Sequence, residues 1–111
     1  MFQKYKIHYA DSFKEDIGDF VRYAIITFKY DGYKTIFGEK VKKATNKIKD
    51  SAKSLGTTDF LYRNKTIYMR CIEDYLYFYI IDGKKIIFLR LFRNGQDWKS
   101  LIALWIKKNG Y

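Results

Sequence analysis

Four cations and two tyrosines are the residues of this chain from which a reaction could be assembled. Arg70, Arg90, Arg93 and Lys65 could offset negative charge building on a phosphate, and Tyr77 or the terminal Tyr111, its pKa lowered by those cations, could supply a proton. The matching chemistry is RNA cleavage, in which a 2′-hydroxyl attacks the adjacent phosphate while one group takes a proton and another gives one. His8 is the only imidazole; it falls in an expected edge strand and reads as a bystander. Cys71 is the only cysteine, so no internal disulfide is possible, and with a single His it cannot complete the four ligands of a structural zinc site. No metal and no cofactor are expected. No carboxylate pair, nucleophile elbow or phosphate-binding glycine loop occurs, which leaves other enzyme classes without support.

A second set of residues suits binding. Tyr75, Tyr77 and Tyr79 alternate with Leu76, Phe78 and Ile80, so in a strand the two groups lie on opposite faces. With the aliphatic side turned to the helices, the tyrosines form a ladder on an open face, joined by Tyr68 and Arg70 of the neighbouring strand. Aromatic rings interleaved with arginine can stack bases and pair with phosphates, or can seat an amphipathic partner segment. The plainer reading is that tyrosine is a good strand former with its hydroxyl in water. Trp98 and Trp105, with Lys107 and Lys108, offer a further surface near the C-terminus, or a helix that merely closes the sheet.

The elements that must position these groups follow from periodicity. Residues 4–9 alternate polar and apolar side chains, as in a short strand. Ser12 and Glu15 have the capping-box spacing, and Phe13, Ile17, Phe20, Val21, Ala24 and Phe28 form one helix face with Lys14, Asp16, Asp19 and Arg22 opposite. Asp31-Gly32 is expected to end that helix. A second helix is expected over 35–55, burying Phe37, Val41, Ala44, Ile48, Ala52 and Leu55 and stopping at Gly56. The period then changes to two, giving strands over 62–72, 75–81 and 85–92 with turns at Glu73-Asp74 and Asp82-Gly83-Lys84. Asp97 is a credible N-cap for a last short helix. The expectation is an α+β fold, a helical hairpin packed on an antiparallel β-meander in the order β-α-α-β-β-β-α, with residues 1–111 as a single domain.

The chain has 111 residues, 22 Lys plus Arg against 12 Asp plus Glu, a net charge of +10 and 20% aromatic residues. Enough apolar surface is available to offset ordering entropy, so the disordered class is excluded and the charge belongs to a folded surface. Residues 1–32 carry no net charge, whereas residues 33–56 hold seven basic and two acidic side chains. Lys40, Lys42, Lys43, Lys47, Lys49 and Lys53 thus make either an electrostatic footprint for RNA or an ordinary solvated helix face. The N-terminus lacks the apolar core of a signal peptide, and no apolar run reaches the roughly 20 residues a bilayer requires. A cytoplasmic protein with no membrane partner is expected.

Residues 75–82, then the run from Ile86 to Phe92 followed by Arg93-Asn94-Gly95-Gln96-Asp97-Trp98, resemble the closing block of the RelE/ParE superfamily of type II toxins. There an apolar strand ends in a basic or His-containing tip and Asp-Trp opens a terminal helix. The likeness is nearest to the ParE or plasmid-stabilisation arm. Arg93 stands where that arm often has His and Gln96 where it often has Arg; Tyr75 and Gln96 stand where basic members of the RelE arm have Arg. The resemblance implies a growth-inhibiting toxin neutralised by a cognate antitoxin in a toxin–antitoxin hetero-oligomer. In the ParE-like case it would bind DNA gyrase, and exposed groups such as Tyr68, Tyr75, Tyr79, Arg90, Arg93, Trp98 and Trp105 would engage that target or the antitoxin. In the RelE-like case it would be a metal-independent endoribonuclease acting on mRNA at the ribosome, with the cations and tyrosines named first as its machinery. A non-toxic basic RNA-binding module is the reading from a different class.

Overall fold

The computed structural model describes residues 5–29, 31–53 and 56–109. Strand β1 (Lys6–Tyr9) leads into helix α1 (Asp11–Phe28), which turns back into α2 (Tyr33–Lys49). Four strands follow, β2 (Thr57–Tyr62), β3 (Lys65–Ile72), β4 (Tyr75–Asp82) and β5 (Lys85–Arg93), and α3 (Trp98–Asn109) closes the chain. The five strands form one sheet in the order β1-β5-β4-β3-β2, antiparallel throughout except that β1 runs parallel to β5. The α+β class and the helical hairpin on an antiparallel meander are as the sequence implies.

The meander has one strand more than the periodicity suggests, because the chain reverses at Arg63-Asn64. Both residues have positive φ, 51° and 65°, the backbone of a two-residue turn whose twist matches that of the flanking strands. Arg-Asn is not the Asn-Gly or Asp-Gly pair that usually marks such a turn. Gly56 lies immediately before β2 instead of stopping α2, which ends at Lys49 with Asp50 as its C-cap. At φ 94° its carbonyl accepts from the Met69 amide at 2.7 Å, and a Cβ there would lie 2.3 Å from the Met69 carbonyl oxygen. Leu55 of the expected helix stripe lies outside the described residues. Similarly, α1 ends at Lys29 in the left-handed region, before Asp31-Gly32, and Gly32 precedes α2.

Both faces of the sheet are covered, and the cover settles which parity goes where. The hairpin buries Phe13, Val21, Phe37, Val41, Ala44 and Ile48 against Tyr77, Tyr79, Ile86, Phe88 and Leu91. On the other face α3 inserts Ile102 among Ile67, Leu76, Phe78, Leu89 and Phe92. The aliphatic side of β4 therefore meets α3, and the tyrosine side meets the hairpin. This reverses the expected orientation. Tyrosine suits the hairpin face because its ring fills the core while its hydroxyl reaches polar groups at the rim. The Tyr79 hydroxyl donates to the Ala52 carbonyl at 2.9 Å, and the Tyr9 and Thr45 hydroxyls lie 2.8 Å apart.

Because β1 is short, the far half of β5 would be a bare edge, and the first turns of α1 cover it. The Ala10 amide donates to Phe88 O, the Ser12 hydroxyl donates to Leu89 O at 2.6 Å, and the Asp16 carboxylate accepts from the Leu91 amide at 2.9 Å. Leu89 is an extra residue in the β4–β5 ladder, since Phe78 pairs with Arg90 while Tyr79 pairs with Phe88. Ser12 is thus not a helix cap; α1 has Ala10 before its first turn and no side-chain capping bond. Asp16 is buried against the sheet edge and not part of the solvent face, and Phe28 is exposed.

Candidate functional site

The closing motif keeps its helix start. Asp97 caps α3, its carboxylate accepting from the Ser100 hydroxyl at 2.7 Å and from the Ser100 amide at 3.4 Å. Trp98 packs half-buried on Phe60 and Phe78, and Trp105 stacks on Tyr62 with ring centres 4.8 Å apart. Both tryptophans are engaged with the sheet, as a helix that closes it requires.

The four candidate cations do not converge. Arg90 donates through Nε and Nη2 to both oxygens of Asp16, at 2.7 and 2.9 Å, and its guanidinium lies 4.7 Å from the centre of the Phe92 ring. A planar fork matched to a carboxylate in this way has spent its charge inside the fold. Arg70 donates to the Ser51 carbonyl and hydroxyl at 3.3 and 3.0 Å, which fastens the end of α2 to β3. Lys65 stands 3.5 Å from Asp82, and along β3 it is about 17 Å from Arg70, too far to share one phosphate. Arg93 is exposed at the end of β5, in register with Tyr75.

The tyrosines proposed as proton donors fare likewise. Tyr77 is buried under the hairpin, and burial, with Glu73 nearby, pushes its pKa up, opposite to the expected lowering by cations. Tyr79 is fully buried and its pKa is raised by the same desolvation, with Arg70 acting in opposition. Tyr75 is half-buried and also raised, first by burial and then by the Tyr33 hydroxyl 3.5 Å away. Tyr68 is half-buried and stacks on Tyr79 with ring centres 5.2 Å apart. Tyr111 lies outside the described residues. The expected open ladder is therefore core at Tyr77 and Tyr79 and accessible only at its ends, Tyr68 and Tyr75.

Two grooves that could take a ligand lie beside those two ends. On one side of Arg70, Lys40, Lys43 and Lys47 of α2 face Ile72, Glu73 and Tyr75 across a groove of about 340 Å³. On the other, Lys53, Lys65 and Lys84 surround Tyr68 and Thr66 in a second groove of about 580 Å³. Lys40, Lys43 and Lys47 share a helix face, being spaced by three and four residues. Lys40 pairs with Glu73 at 3.2 Å, and Lys43 and Lys47 make no ion pair among the described residues. The arrangement suits a flexible polyanion or an acidic segment. It holds several charges in line and directs none at a single reacting atom.

Sequence reasoning passed over Asp16, Tyr23 and Tyr33. Asp16 carried no signal, since it borders the apolar stripe of α1 and only the crossing of helix and strand edge shows its use. His8 is exposed, Cys71 is exposed and free, and no group of metal-ligating side chains occurs among the described residues. No helix of the described residues is long and apolar enough to cross a membrane. No family model, curated protein or solved structure matches the chain.

Proposed function

We propose that the chain is the toxin of a type II toxin–antitoxin pair of the RelE/ParE kind, and that it arrests growth by binding its target, DNA gyrase, instead of cutting RNA. The element order, the basic surface and the Asp97-Trp98 helix start support the toxin reading. The choice of binding over cleavage rests on one observation: Arg90, a cation of the closing motif and one of the four candidate cations, is already neutralised by Asp16. A nuclease needs that charge for the phosphorane, whereas a binding surface that loses Arg90 still has Tyr68, Tyr75 and Arg93 at least partly exposed. The lysine-lined grooves fit an acidic antitoxin segment whose charge speeds association and which orders on binding. The setting is the cytoplasm.

A second reading, a basic RNA-binding module without toxicity, draws support from the row Lys40, Lys43 and Lys47. Induced expression in a bacterium, followed by separate gyrase-supercoiling and ribosome–mRNA assays, tells them apart. Growth arrest with loss of supercoiling and linear DNA trapped on gyrase is the expected result. Unimpaired growth would favour the RNA-binding module, and mRNA cut at defined codon positions would overturn the binding mechanism.

A further inference from the structure

Two concavities meet at Tyr75. One is the groove beneath Lys40, Lys43 and Lys47. The other is a cavity of about 150 Å³ near the hairpin turn, walled by Phe20, Tyr23, Phe28, Tyr33 and Tyr75, with Arg93 also lining it. We infer that together they form a site for single-stranded nucleic acid, one base held among the aromatic rings and the adjoining phosphates lying along the lysines.

Size and chemistry both favour this occupant. The cavity is below the range of about 300–1,000 Å³ that takes a drug-sized ligand, and suits one flat ring system. Its walls present aromatic faces, on which any base can stack. Tyr23 and Phe28 are 56% and 69% exposed and meet edge to face with ring centres 6.1 Å apart, so two of these rings stand largely in water at the surface. The paired Tyr33 and Tyr75 hydroxyls and the Arg93 guanidinium supply polar groups for the edge of a base.

The lysines set the length of the track. Lys40, Lys43 and Lys47 offer one cation each over the about 10 Å that α2 rises between them, so their long side chains can engage up to about three phosphates. Glu73 opposes an anion at Lys40, so its charge weakens binding at that end of the track. A duplex keeps its bases paired and stacked and cannot place one in the cavity without flipping it. The site therefore selects single strands.

Fluorescence anisotropy with short labelled RNA and DNA homo-oligonucleotides, titrated across a salt series, tests this on the intact chain. With about three phosphates engaged, the slope of log affinity against log salt should be about −2, and Lys43→Gln with Lys47→Gln should reduce it by about 1.4. Tyr23→Ala, at an exposed position, should weaken binding about fivefold or more. Glu73→Gln should tighten it. Lys107→Gln with Lys108→Gln removes equal charge from α3 and should change neither slope nor affinity at fixed salt. The inference is overturned if that α3 pair lowers the slope as much as the α2 pair, if a duplex binds as well as the single strand, or if polyglutamate binds more tightly than the oligonucleotides. Binding here does not depend on toxicity, so a failed growth assay and a failed titration are separate results.

Discussion

The Asp16 carboxylate accepts from Arg90 Nε, from Arg90 Nη2 and from the Leu91 amide. Three donors on one buried group join α1 to β5, and the cation they include is one of the four candidate cations of the sequence. Breaking a buried pair from one side leaves the other charge without compensation, which costs about 3 kcal/mol. Asp16→Ala should therefore lower the unfolding free energy by that amount, read as a fall in the urea midpoint at unchanged m-value. Adding Arg90→Met should restore part of the loss, since the stranded cation is gone while the Leu91 amide still lacks its acceptor. An Asp16→Ala variant that unfolds at the wild-type midpoint would show that the clasp contributes nothing. The same geometry explains why Arg90 substitutions in a growth assay must be read together with folded protein levels: its side chain is 22% exposed and works for the fold.

Strand parity in β4 was legible because alternation divides its side chains into two sets, but which set faces the helices was not, since both sets are apolar enough to be covered. Two covers exist, the hairpin and α3, and a hydroxyl at the rim decides for tyrosine in a way no single-strand pattern carries. The stripe Phe37, Val41, Ala44, Ile48 and Ala52 was readable and is buried throughout, because a 3.6-residue period has only one inner side. Boundaries were harder. Gly56 marks a strand start through a backbone contact with Met69 that is distant in sequence, and Arg63-Asn64 turns without glycine. The lysine row on α2 was visible as charge, and only the position of β3 and β4 beneath it makes a groove. Gly56 offers the test at this scale. Alanine there meets the Met69 carbonyl and an unfavourable φ together, so Gly56→Ala should destabilise the protein by about 2 kcal/mol, measured by thermal melting. A melting curve unchanged from wild type would show that β2 is free to shift away from β3.

At the scale of the molecule, a sheet covered on both sides keeps much of its aromatic content away from water, and three tyrosines in β4 have raised pKa values with burial as the leading cause. That gives the protein an alkaline limit. In the unfolded chain these phenols lose their protons near pH 10, whereas in the folded protein they hold them to higher pH. Above pH 10 the unfolded state thus binds fewer protons than the native state, and stability falls as pH rises. Below pH 10 both states hold the phenolic protons and the contribution is fully present. Melting temperature should therefore be insensitive to these groups from neutral pH to about 9 and should decline beyond pH 10. Tyr77→Phe removes one titrating group while keeping the ring in place, so the variant should decline less steeply than wild type over the same interval. Equal slopes for the two proteins would mean that Tyr77 ionises as easily in the folded state as in the unfolded one, contrary to its burial beneath the hairpin.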